Sequence, residues 1–97
     1  MNVDLDTVLA VENGEDEDGS AIQKMINAGA WSFQGSVGRT MMEAIEAGAA
    51  LLGKEPAQDY WGNFIPSRDM VVPGTKGSYE YVVEHSGKEH ADRLAAL

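Results

Sequence analysis

Val37-Gly-Arg-Thr-Met-Met-Glu-Ala-Ile-Glu-Ala-Gly48-Ala-Ala-Leu-Leu-Gly53-Lys54 is the stretch whose reading decides the fold. Val37, Met41, Ala44, Ile45, Gly48 and Leu52 fall on one stripe at helical spacing. Thr40-Met-Met-Glu43 has the form of a capping box, which predicts a helix opening near Thr40. Gly48 either ends that helix or sits inside it for close packing; the pattern admits both. The tail Gly48-Ala-Ala-Leu-Leu-Gly53-Lys54 also matches the first seven positions of a phosphate-binding loop. Glu55 stands where such a loop needs Ser or Thr for magnesium, and a carboxylate there repels phosphate. No hydrophobic strand leads into it. The stretch reads as a helix terminus with a glycine stop and a C-terminal lysine.

Upstream, Ile22, Met25 and Ile26 repeat at i, i+3 and i+4 and predict a helix closed by Gly29. Glu15-Asp-Glu-Asp18 precedes it and suits its positive N-terminal end. Leu5, Val8 and Leu9 predict a shorter helix over 5–13, stopped at Gly14. Between them and the central stretch, residues 30–35 read as an ordered connector whose Trp31 and Phe33 drop into the core. Downstream, residues 53–77 hold all three prolines with Gly53, Gly62, Gly74 and Gly77, which excludes a long helix. Their aromatic content predicts an ordered excursion packed back on the helices, with a tight turn at Trp61-Gly-Asn-Phe64. Tyr79-Glu-Tyr-Val-Val is strand-prone, but Ser78 can cap a helix there and Tyr79, Val82 and Val83 fit its spacing. Ser86-Gly-Lys-Glu89 reads as a second capping box, giving two C-terminal helices broken near Gly87. The expected fold is mainly α: a small single-domain bundle of short helices over 1–97. It comprises a helical unit 1–52, an irregular Pro/Gly/aromatic-rich segment 53–77, and C-terminal helices 78–97.

Charge narrows the function. The 97 residues carry sixteen acids against seven bases, a net charge of −9. Residues 1–19 hold seven of those acids and no base, so the rest of the chain is nearly balanced. A phosphate-backbone binder needs positive charge gathered on one face, so direct nucleic-acid binding is not expected. The acids are also too concentrated for mimicry of DNA along the whole surface. There is no cysteine, hence no disulfide, thiolate metal site or cysteine nucleophile. No apolar run reaches the roughly 18 residues of a membrane span, and no basic-then-apolar leader opens the chain.

No chemistry-bearing motif survives inspection. Asp16-x-Asp18-x-Ser20 begins like a calcium loop, but Ala21 replaces the required glycine and Asn27 the required glutamate. His85 and His90, near Glu84, Glu89 and Asp92, are five apart and diverge on one helix, so charge pairing is preferred to a metal site. No Ser, His and Asp arrangement stands out, and neither an enzyme activity nor a cofactor or metal is expected. Arg39 and Arg68 sit beside apolar residues; an internal pinning role is preferred for both over an interface anchor.

The run Met25-Ile-Asn-Ala-Gly-Ala-Trp31-Ser-Phe-Gln-Gly-Ser-Val-Gly-Arg39-Thr, followed by Ala44-Ile-Glu-Ala-Gly48, resembles a family of short tailed-phage proteins sharing Gly, Trp, Gln-Gly and Gly-Arg at this spacing, with an acidic first segment. The resemblance covers about residues 6–50. Segments after it, Asp59 to Arg68 and Pro73 to Gly77, look similar to parts of small proteins of phages that infect actinobacteria. It implies a setting, the host cytoplasm, and no biochemical activity. The expected function is that of a small acidic accessory protein that binds a host protein, one with a basic surface. A virion or self-assembling structural role is the alternative, in which the small residues Ala44, Ala47, Gly48 and Leu51 pair helices and a homo-oligomer forms. For partner binding, Glu15, Asp16, Glu17 and Asp18 supply long-range attraction, and Tyr60, Trp61, Phe64 and Arg68 the anchors. The same rings would serve to complete a core too small to close alone, which is the preferred reading; exposure of Trp61 decides between them.

Overall fold

The computed structural model describes residues 18–32, 36–59 and 61–97. The helix expected over 5–13, Glu15, Asp16, Glu17, Phe33 and Tyr60 lie outside the described residues. The protein is a small, mainly α domain. Helix α1 (Ser20–Asn27) leads through a short 3-10 turn (Ala30–Ser32) to α2 (Ser36–Glu46). A two-stranded antiparallel hairpin of β1 (Ala57–Gln58) and β2 (Phe64–Ile65) follows. A second 3-10 turn (Arg68–Met70), α3 (Tyr79–Ser86) and α4 (Lys88–Ala95) complete the order.

Helix α1 buries Ile22, Met25 and Ile26 as their spacing requires. At its start the Asp18 carboxylate accepts the Ser20 N–H at 3.0 Å, the role expected of acids placed ahead of a helix. Helix α2 begins at Ser36, four residues before the Thr40 box, which therefore lies inside the helix. Burying Val37, worth about 1.5–3 kcal/mol, outweighs a side-chain cap worth about 1 kcal/mol. Gly48 settles the other end. Its φ is +75°, its N–H bonds Ile45 O at 3.1 Å, and the Ala49 N–H bonds Ala44 O at 2.8 Å, the paired bonds of a left-handed glycine terminus. A Cβ on Gly48 would stand 2.3 Å from the Cβ of His85, so the α2 terminus and α3 approach as only glycine allows.

After Gly48 the chain runs as an extended spine between two apolar clusters. Ala50 and Leu52 face the first, built on Ile22, Met25, Ile26, Ala30, Trp31, Val37, Met41, Ile45 and Ile65. Leu51 faces the second, with Val82, Ala91 and Leu94. Leu52 is thus core without being helical, a correction to the stripe drawn from Val37. Backbone reaches the spine at its far end, where the Leu52 N–H bonds Gly77 O at 3.1 Å and Gly53 O accepts the Arg68 N–H at 2.9 Å, and side chains serve the rest. Gln23, fully buried, accepts the Leu51 N–H at 2.8 Å and donates to Leu51 O at 3.0 Å. Tyr81 Oη donates to Glu46 O, Ser86 Oγ to Gly48 O, His90 Nε2 to Ala49 O and Arg68 Nε to Leu52 O.

The C-terminal pair is helical, and Ser78 caps α3 by accepting the Tyr81 N–H at 3.2 Å. Val82 is fully buried in the second cluster. The break falls at Gly87, but the expected Ser86 box does not form: Ser86 ends α3, Gly87 takes the cap position of α4 with no side chain to offer, and the Ser86 hydroxyl donates to Gly48 O at 2.8 Å. Among the described residues no helix is long and apolar enough to cross a membrane.

Candidate functional site

Asp59-x-Trp61-Gly62-Asn63 builds the site. Gly62 N–H bonds Asp59 O at 3.1 Å and Asp59 N–H bonds Asn63 O at 3.0 Å, which closes the hairpin on Asp59. Gly62 takes φ +84°, the left-handed position that a tight turn with a glycine bulge demands. The turn expected at 61–64 therefore lies two residues earlier, at 59–62, since only there do an aspartate at the first position and a glycine at the last both find their preferred places. The Asp59 carboxylate fastens the loop, accepting from Trp61 N–H at 2.9 Å and from Asn63 N–H and side-chain amide at 2.8 and 3.1 Å. Desolvation opposes its charge, but the hydrogen bonds from Asn63, Trp61 and Gly62 outweigh that and hold its pKa below the usual 3.8.

On this fastened loop Trp61 is 74% exposed and Phe64 59% exposed, whereas Trp31 is only 4% exposed. The expectation that these rings complete the core is overturned for both. The hairpin pairs Ala57 with Ile65 and Gln58 with Phe64, and alternation sends Ile65 inward and Phe64 outward. Beside Trp61 lies an open groove of about 200 Å³, lined by Trp31, Gly38, Arg39, Met42, Asp59, Trp61 and Ile65. Its walls are largely apolar. Met42 sits one turn beyond Gly38 on α2, at the exposed edge of the helix.

The other candidate residues fare differently. Arg68 is drawn into the fold: Nε donates to Leu52 O at 2.8 Å and Nη2 to Asn27 Oδ1 at 3.2 Å. Desolvation lowers its pKa, with Asp69 acting in the opposite sense. It pins the 3-10 turn to the spine, as preferred from sequence, and does so through neutral oxygens. It is therefore removed from the list of anchors. Arg39 is the reverse case, for it is exposed and lines the groove instead of pinning a loop. Asp18 serves α1, and its backbone oxygen also accepts from Arg93 Nη2 at 2.9 Å. The Ser20 backbone hydrogen bond is the main cause of its lowered pKa.

The histidines have structural partners. His85 donates from Nδ1 to Tyr81 O at 2.8 Å and stacks on the Tyr81 ring, centroids 4.0 Å apart. His90 Nε2 is 2.9 Å from Ala49 O and Nδ1 is 2.7 Å from Arg93 Nη2, so carbonyl and guanidinium together assign the proton to Nε2. Among the described residues no group of three or more His, Asp or Glu is placed to hold a metal ion. The small-residue stripe is largely consumed internally: Gly48 packs on His85 and Leu51 is fully buried.

Sequence reasoning missed Gly38, Met42 and Asp59 as parts of the site. The signal available was the Asp59…Gly62-Asn63 spacing, which marks a three-residue hairpin loop and so throws the rings outward. Comparison of the chain with protein-family models, curated proteins and solved structures finds no match.

Proposed function

We propose that the protein acts by binding another protein, docking through the Trp61 hairpin and the groove beside it, and carries no chemistry of its own. The observation that supports this reading most is Trp61, 74% exposed on a loop that three hydrogen bonds to Asp59 hold in place. A large aromatic ring presented on an ordered support loses little entropy on binding and brings much apolar area, which is what interface hot spots do. The resemblance to short tailed-phage proteins makes the partner a host protein met in the host cytoplasm, and the acids at Glu15, Asp16 and Glu17 suit one with a basic surface.

The experiment compares the immobilised protein with its Trp61→Ala variant, matched for helicity and melting point, in host lysate. A protein retained by the first and lost from the second is the expected result; equal retention overturns the reading. With that partner purified, neutralising Glu15, Asp16 and Glu17 slows association at low salt, and Trp61→Ala speeds dissociation. Asp18 is left intact in that variant because it serves α1. Sedimentation at micromolar concentration tests the virion or self-assembling alternative, which requires association of the protein with itself.

A further inference from the structure

The groove beside Trp61 has a chemistry of its own, set by one charge. Arg68 and Arg93 are bonded to protein oxygens or nitrogen, and among the described residues Arg39 is the one arginine whose side chain takes part in no hydrogen bond or ion pair. It is exposed and stands on the groove wall with Trp31, Met42, Trp61 and Ile65. Asp59 is the carboxylate of that wall, and its hydrogen bonds go to the Trp61 and Asn63 donors of its own loop, not to Arg39. Within the described groove no hydrogen bond or ion pair engages the guanidinium.

Gly38 adds an independent observation. It lies inside α2, one residue before Arg39, and a Cβ there would meet nothing within 4 Å. Gly38 stands in the first turn of α2, where a glycine is a poorer helix former than alanine, and nothing in the described fold requires it. Its consequence is a backbone left bare at the groove floor, open to the approach of another chain. The volume, about 200 Å³, falls short of the roughly 300–1,000 Å³ that enclose a small molecule and suits one or two side chains of a protein.

We infer that this groove takes a short apolar segment of a protein partner that carries an Asp or Glu, the carboxylate seated on Arg39 and the apolar side chains lying between Met42 and Trp61. Arginine offers a planar fork that meets a carboxylate with two parallel hydrogen bonds, and apolar walls strengthen such a pair by displacing water. The net charge of −9 does not draw an acidic partner from afar, but screening confines that repulsion to about 8 Å at physiological salt. Selection is made by contact. This inference rests on the docking reading above and adds the chemistry of what docks.

The test is selection of a displayed library of random dodecapeptides on the wild-type protein, with counter-selection on Trp61→Ala. The expected winners combine aromatic or aliphatic residues with at least one Asp or Glu. Arg39→Gln, an exposed change that leaves helicity and melting point intact, weakens them about tenfold, and Arg39→Lys restores only part. Gly38→Met, which the open space admits, blocks them. Winners without an acid, winners indifferent to Arg39→Gln, or binding that survives Gly38→Met overturn the inference while leaving the docking reading in place. If no peptide is enriched over the Trp61→Ala surface, the docking reading falls and takes the inference with it.

Discussion

The spine at 46–53 and the hairpin at 57–65 satisfy their backbones in opposite ways. The spine draws on side chains far away in sequence: Gln23, Arg68, Tyr81, Ser86 and His90 each donate to one of its carbonyls. The hairpin loop is fastened locally, through bonds to Asp59 from Trp61, Gly62 and Asn63 within four residues of it. The two tryptophans follow the same division. Trp31 lies in the first cluster beside the spine, and Trp61 rides on the hairpin in solvent. Long-range bonds make the spine inseparable from the packing of the whole domain, so a change there is felt everywhere. Local bonds to Asp59 hold the shape of the hairpin, and Trp61 and Phe64 stand exposed on it.

The sharpest way to break this contrast is to truncate each tryptophan in turn. Trp31→Ala should cost about 3–5 kcal/mol in a denaturant melt, enough to unfold a domain this small. Next in size is Gln23→Leu, which keeps the volume of the side chain and strands the buried Leu51 N–H and C=O. A loss of about 2–4 kcal/mol is expected, and a neutral result would show that the spine does not depend on Gln23. Gly38→Ala tests the open groove from the stabilising side: with no contact for the added Cβ, the melt should move upward by about 0.5–1 kcal/mol. Trp61→Ala should stay within about 0.5 kcal/mol of the parent, and a larger loss would mean the ring belongs to the core after all.

The smallest effect is one of pH. Asp92 is held below the usual 3.8, first by the Lys88 hydrogen bond at 2.7 Å and then by the Tyr79 hydroxyl. A depressed carboxylate stabilises the fold above its unfolded pKa, and that contribution fades as pH falls below 3.8 through the folded value. Asp92→Asn should therefore flatten the acid limb of stability against pH and leave the plateau near neutrality with only a slight offset. An unchanged acid limb would remove Asp92 from the account. The same pair raises the pKa of Tyr79, because ionising the phenol costs its hydrogen bond to Asp92.

Much of the helical frame was legible from spacing. Ile22, Met25 and Ile26 mark α1, Val37, Met41 and Ile45 mark α2, and Ser78 with Val82 marks α3, because burial along a 3.6-residue period leaves a direct trace in the chain. The two capping boxes misled for different reasons: burial of Val37 starts α2 four residues before Thr40, and Gly87 takes the cap position of α4 that Ser86 was expected to fill. The Ser86 hydroxyl bonds Gly48 O. The turn was misplaced because Gly62 fits several turn frames and only the Asp59 bonds select between them.

Composition and periodicity by themselves determined that the chain is a small, acidic, mainly α protein, with Trp31 in its core. Tertiary structure alone decided which rings stay outside and which arginine is tied down. Trp31 and Trp61 have equal hydrophobicity, and Arg39 and Arg68 equal charge. Their fates diverge because Asp59 closes a loop that lifts Trp61 off the body, while Leu52 O and Asn27 happen to meet Arg68 and no described hydrogen bond or ion pair engages the Arg39 side chain. Hydrophobicity and charge belong to a residue, but exposure and pairing belong to the positions of its neighbours, and those are settled only when the two clusters close on the spine.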